Sequence, residues 1–144
     1  MPRIFYLRGA KVPQLAFKLD PLLAYAPQNF YFHAGVVDVF KRLVAVLVQD
    51  SFRICWVEGP IRCGKSHLAV ALTRELCERG LAPQIWEGCE FATRLLDGGI
   101  GLGSQDVILV DDADHYLQGL QVGESGPLVN FIERLRLVKS ALVL

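Results

Sequence analysis

The chain is short of several things that would place it quickly. It has no surplus charge: fifteen Lys+Arg stand against fifteen Asp+Glu, a formal net charge of zero. A domain that grips nucleic acid chiefly by neutralising phosphates carries a basic excess, so an autonomous DNA-binding domain is not expected. No apolar run approaches the roughly eighteen residues a membrane span needs. The first residues, Met1-Pro2-Arg3-Ile4-Phe5-Tyr6-Leu7-Arg8-Gly9, lack the long apolar stretch of a signal peptide. There are four cysteines, Cys55, Cys63, Cys77 and Cys89, and no C-x-x-C pair. That spacing argues against a zinc site and against a secreted disulfide framework. Repeats and low-complexity segments are also missing. The expectation is a soluble α/β domain of a reducing, cytoplasmic compartment, with no membrane partner.

What is present is a core-forming composition. Of 144 residues, 52% are hydrophobic and 21% charged, enough for one domain. Residues 1–33 are broken by Pro2, Pro13, Pro21 and Pro27 and read as an extended N-terminal arm; the domain proper spans 34–144. Val36, Phe40, Leu43, Val44 and Leu47 follow helical spacing, predicting a helix over 35–48. Arg53 to Glu58 reads as a short buried strand carrying Ile54, Cys55, Trp56 and Val57. Gly64 to Arg79 carries Leu68, Leu72 and Leu76 on one helical face, with Gly80 placed to end it. A weak strand over 83–87, a short helix over 90–96 and a glycine-rich loop over 97–104 follow. Asp106 to Asp111 is the clearest strand. Pro127 opens a helix with Leu128, Ile132 and Leu135 as its buried stripe. Ser140 to Leu144 reads as another central strand. Strands alternating with helices imply a parallel sheet with helices on both faces.

Gly59-Pro60-Ile61-Arg62-Cys63-Gly64-Lys65-Ser66 fits G-x-x-x-x-G-K-[ST], and it lies between a predicted strand and a predicted helix. The spacing has a physical reason. Two glycines let the backbone turn tightly, so that successive N–H groups point inward at phosphate oxygens. The helix that follows adds its positive dipole end. Lys65 then bridges the β- and γ-phosphates, and the Ser66 hydroxyl ligates Mg²⁺. The bland alternative is a glycine-rich turn before a helix. Cys63 reads either as a small residue the loop tolerates or as a redox switch, since helix N-termini lower thiol pKa. His67 reads as a packing residue rather than a catalytic one.

Asp111 and Asp112 follow Val107-Ile108-Leu109-Val110 directly, which puts two acids at a strand's C-terminal end. In open α/β sheets that is the edge where ligands bind. Asp111 is the candidate magnesium ligand and Asp112 the candidate for orienting or deprotonating an attacking water. A solvated acidic turn is the alternative. The stretch from Lys65 to Asp111 has room for a helix, a strand and a second helix, a spacing found more in hydrolytic P-loop proteins than in small-molecule kinases. Asp114 and His115 match no trusted spacing.

Together these features resemble the AAA+ ATPases of the bacterial replication-initiator group, which includes DnaA, its regulator Hda and the DnaC/IstB helicase loaders. Two stretches carry the resemblance: Gly59-Pro60 through Gly64-Lys65-Ser66-His67-Leu68-Ala69, and Val107 through Asp112. It implies a three-layer P-loop AAA+ core and ATP or ADP with Mg²⁺ held by Gly59, Pro60, Ile61, Arg62, Cys63, Gly64, Lys65, Ser66 and His67. Gln14-Leu15-Ala16-Phe17-Lys18-Leu19 looks like the segment by which Hda-like members bind the replicative sliding clamp, or else a strap packed on its own domain. Asn29-Phe30-Tyr31-Phe32 falls where the group lines its adenine pocket, with Tyr31 and Phe32 as candidates, but His33 stands in place of the expected glycine.

The resemblance implies an Hda-like regulator of replication initiation, with a DnaA-like initiator and the clamp as partners and with self-association. A helicase-loader or transposition-accessory ATPase is the nearest rival. A small-molecule kinase is another, although Arg134 and Arg136 are too sparse for its arginine-rich lid, and an interaction domain with an empty loop is the third. The chain reads as stopping at the fourth strand, ahead of the lid, the sensor residues and the arginine finger, a group worth about 10³–10⁵ in rate. It reads as a fragment of a longer protein or as a reduced member holding nucleotide as a structural ligand.

Overall fold

Along the strand Asp106–Asp111 successive side chains enter two different apolar layers, and that alternation sets the architecture. A computed structural model describes residues 34–104 and 106–144. Among them the order is α1 (Ala34–Leu47), β1 (Arg53–Cys55), α2 (Lys65–Glu78), β2 (Ala82–Glu87), α3 (Gly88–Leu96), β3 (Asp106–Asp111), α4 (Ala113–Gly119), α5 (Gly126–Leu137) and β4 (Ala141–Val143). The four strands form one sheet, ordered β1-β4-β3-β2, and every pairing is parallel. Val107, Leu109, Ala141 and Val143 pack on Val44 and Leu47 of α1 and on Leu68, Leu72 and Leu76 of α2. Ile108, Val110 and Leu142 turn the other way, onto Phe91 of α3, Tyr116 of α4, and Phe131 and Leu135 of α5. The result is three layers, α1–α2 over the sheet over α3–α5.

Local sequence explains the element boundaries. Leu68, Leu72 and Leu76 fall one turn apart and are buried, as their spacing predicts. After Glu78 the chain closes the helix with Gly80 N–H donating to the Cys77 carbonyl and Leu81 N–H to the Leu76 carbonyl, both at 3.0 Å. Gly80 adopts φ +81°, the left-handed conformation this ending requires. In α5, Pro127 sits in the first turn, and the buried stripe is Phe131 and Leu135, flanked by half-buried Leu128 and Ile132. Phe91 is fully buried and meets Tyr116 and Phe131 edge-on at centroid distances of 5.5 and 5.4 Å.

Two expectations need correction. The strand expected over 53–58 is shorter and, among the described residues, lies at the edge of the sheet. Cys55 and Val57 pack on the α1–α2 layer, whereas Ile54 and Trp56 fall on the opposite face and stay 46% and 53% exposed. Backbone pairing still runs on past β1, with Leu144 N–H donating to the Cys55 carbonyl at 2.9 Å and Val57 N–H to the Leu144 carbonyl at 2.8 Å. The sequence reading also gave no helix directly after Asp112. There α4 makes two turns anchored by buried Ala113 and Tyr116, too short to leave a periodic pattern. No helix among the described residues is long and apolar enough to cross a membrane.

A polar knot ties the N-terminal ends of β3 and β4. The buried Ser140 hydroxyl accepts the Asp106 N–H at 3.0 Å and donates to the Gly103 carbonyl at 3.1 Å, while the Asp106 carboxylate accepts the Gly103 N–H at 2.6 Å. Removing the hydroxyl strands the N–H of buried Asp106, so Ser140→Ala is expected to lower unfolding free energy by about 1–3 kcal/mol, read as a lower urea midpoint at unchanged m-value.

Candidate functional site

Parallel pairing places the C-terminal ends of all four strands on one edge, and β1 and β3 deliver different chemistry there. Beyond β1 the chain enters the loop from Gly59 to Ser66; beyond β3 it ends in Asp111 and Asp112. Only β4 separates β1 from β3, so two strand spacings, about 10 Å, divide the loop's approach from the acid pair.

The loop is built on two left-handed residues, Arg62 at φ +63° and Gly64 at φ +98°. Gly64 is the residue before the first turn of α2, and Leu68 N–H donates to its carbonyl at 2.9 Å. No side chain caps the α2 N-terminus, which leaves first-turn amides available to an anion. Gly59 is needed for space: a Cβ there would lie 2.6 Å from the Cys63 Sγ. Lys65 folds back over the loop, its Nζ donating to the carbonyls of Gly59 at 2.7 Å and Pro60 at 3.0 Å, with the Cys63 Sγ at 4.0 Å.

Two hollows meet at Lys65. The inner one, about 60 Å³, is lined by Trp56, Lys65, Leu68, Asp111, Asp112 and Leu144, among others. The outer one, about 370 Å³, is lined by Ile61, Arg62, Gly64, Lys65, Ser66, His67, Asp112 and Asp114. The structure therefore brings Lys65 together with Asp111 and Asp112 in the inner hollow, and with Ser66 and Asp112 in the outer one. Asp111 is half-buried, and its Oδ1 accepts the Asp112 N–H at 3.1 Å. Asp112 is exposed at φ +52°, a left-handed conformation that aspartate tolerates better than most residues. The outer hollow, where Ser66 stands, is shared by Asp112 and Asp114, while Asp111 faces the inner one. Ile61 and Cys63 are exposed, and His67 is half-buried. Oxygen donors from a serine and a carboxylate pair suit a hard divalent cation, so the donor set fits Mg²⁺. Tyr31, Phe32 and the Gln14–Leu19 segment lie outside the described residues.

Sequence reasoning missed Gly88. A Cβ there would stand 2.4 Å from the Asp112 carbonyl oxygen, so the first residue of α3 fixes how closely the acid pair's backbone packs. No local signal marked it, because the contact follows from the register of β2 on β3, where Glu87 pairs with Asp111. Among the cysteines, burial beside β4 raises the Cys55 thiol pKa, with the Arg53 charge opposing more weakly. Cys63, Cys77 and Cys89 are exposed.

No protein-family model matches the chain, and no curated protein matches its sequence. A solved structure does: the crystal structure of a DNA replication initiation factor, at 19% identity and a TM-score of 0.55, over 81% of this chain. The chain spans 39% of that protein's length. The likeness is one of fold. This chain shares the three-layer α/β fold of that factor.

Since Gly59 and Cys63 compete for one space, Gly59→Ala is expected to cost about 1–3 kcal/mol. In a Cys63→Ala background most of that cost disappears, because the Cys63 Cβ lies 3.9 Å from the added methyl's position. A double-mutant cycle by urea unfolding measures the coupling.

Proposed function

We propose that this chain binds an adenine nucleotide with Mg²⁺ at the Gly59–Ser66 loop and acts in the control of DNA replication initiation, in the manner of an AAA+ regulator that contacts a DnaA-like initiator. The observation carrying the nucleotide reading is that Lys65 and the acid pair at the end of β3 line one hollow, reached by two strands that share only β4 as neighbour. A glycine-rich turn without function has no need of a lysine and two carboxylates around a common space.

Each residue has a task that follows from its chemistry. The loop amides and the uncapped α2 N-terminus meet phosphate oxygens. Lys65 exchanges the carbonyls of Gly59 and Pro60 for phosphate, trading neutral acceptors for charged ones that form stronger bonds. Ser66 and the acid pair are the residues that would hold Mg²⁺, which supplies charge neutralisation between the phosphates when bound. Asp112 lines the outer hollow, and its carboxylate is the proposed group for orienting a water.

The replication role rests on the fold shared with a DNA replication initiation factor and on the resemblance carried by the two sequence motifs. Contact with the sliding clamp through Gln14–Leu19 and contact with further copies of the chain belong to the same proposal.

Binding to the folded state alone stabilises it by mass action, about 2.7 kcal/mol at a hundredfold excess over Kd. MgADP is therefore expected to raise the melting temperature by several degrees and to change the fluorescence of Trp56, which lines the inner hollow. Lys65→Ala is expected to abolish both effects without lowering the ligand-free melting temperature by more than a degree or two, since Lys65 bonds only exposed carbonyls. An unchanged MgADP response in Lys65→Ala contradicts the reading.

A further inference from the structure

On the layer opposite α1 and α2, away from the phosphate hollows, α3, α4 and α5 enclose a second feature. Ala92, Leu95 and Leu96 of α3 face Tyr116, Leu120 and Pro127 across an apolar hollow of about 470 Å³. Leu96 is 76% exposed, although it belongs to a helix whose Phe91 is fully buried. A second hollow of about 310 Å³ continues past Leu95, Leu96 and Pro127, which line both, and its walls carry Arg94, Asn130 and Arg134.

The two arginines are held with donors to spare. Arg134 Nη2 donates to the Ile100 carbonyl at 3.1 Å, and no carboxylate among the described residues lies within ion-pair distance of this guanidinium. Arg94 lies over the Trp86 ring at 5.7 Å, and its Nε stands 3.9 Å from Glu90 Oε1, a loose pair. Planar guanidinium forks beside an asparagine amide suit a carboxylate better than a point charge would. The far end of the apolar hollow carries Glu124, whose Oε2 accepts the Gln121 N–H at 2.9 Å. The groove is thus apolar in the middle, basic at one end and acidic at the other, which fixes the direction in which a charged partner lies.

We propose that this groove between α3, α4 and α5 docks a peptide segment of a partner protein in which apolar side chains are followed by aspartate or glutamate. The apolar residues occupy the hollow beside Leu95, Leu96 and Leu120, and the acid reaches Arg94 and Arg134. A peptide fits better than a nucleic acid because the chain as a whole carries no basic excess to hold a run of phosphates. The site is independent of the nucleotide loop, sharing no residue with either phosphate hollow.

The test uses the full chain and a displayed random twelve-residue peptide library. The expected result is enrichment of sequences with two apolar residues three or four positions apart, followed by Asp or Glu. For the tightest peptide, replacing its acids by Asn and Gln is expected to weaken binding at least tenfold. The Arg94→Gln/Arg134→Gln variant is expected to do the same with its MgADP response unchanged. The proposal is overturned if nothing enriches, if the neutral peptide binds as well as the acidic one, or if a twelve-nucleotide single strand binds more tightly with the same arginine dependence. Charge replacement in the peptide decides the matter even if the arginine variant fails to fold.

Discussion

Insertion of β4 between β1 and β3 is the constraint on which the rest of the molecule depends. Three residues, Ala141 to Val143, pair on one side with Arg53 to Cys55 and on the other with Val107 to Leu109. They are buried throughout, with Leu142 facing one apolar layer and its two neighbours the other. Through them the strand that leads into the Gly59–Ser66 loop and the strand that ends in two acids run parallel and finish on the same edge. Were β1 paired elsewhere, Lys65 and Asp111 would have no common hollow. The site is therefore a consequence of strand order, and its stability is bound to that of the sheet's centre. The polar knot of Asp106, Ser140 and Gly103 closes the opposite edge and leaves the loop edge open.

At the loop itself, packing and function make opposed demands. Gly59 must stay small because Cys63 fills the space above it, and Arg62 and Gly64 hold left-handed backbone angles. A non-glycine residue at positive φ costs of order 1–3 kcal/mol, which the surrounding fold must offset. Lys65 folds onto the exposed carbonyls of Gly59 and Pro60 above that turn. Gly88 does similar work from the other side, allowing the backbone of Asp112 to approach α3 within a distance no side chain would permit.

Much of this was legible in the sequence, and the reasons differ by element. Leu68, Leu72 and Leu76 announce α2 because a long amphipathic helix repeats its signal. Val107 to Val110 announce β3 because a strand covered on both faces is apolar without interruption. The Gly59–Ser66 turn announces itself because a tight turn into a helix needs glycine at set positions, here Gly59 for space and Gly64 at positive φ. Exposed Ile54 and Trp56 misled, since apolar residues in an edge strand look like those of a central one. The helix α4 and the glycine contact at Gly88 were illegible for a common reason. Each rests on tertiary proximity, of Tyr116 to Phe91 and of α3 to the acid pair, which no local pattern encodes.

The central claim is that the amides from Gly59 to Ser66, with the acid pair opposite, form a single receptor for a nucleotide's phosphates. Backbone amide chemical shifts recorded during titration of the isotopically labelled chain with MgADP test it most directly. The account predicts the largest changes at residues 59–67 and at Asp111 and Asp112, with those of the groove residues Leu95, Leu96, Asn130 and Arg134 unmoved. Saturating MgADP that leaves the loop amides unchanged, or that moves residues of the α3–α5 groove instead, would contradict it.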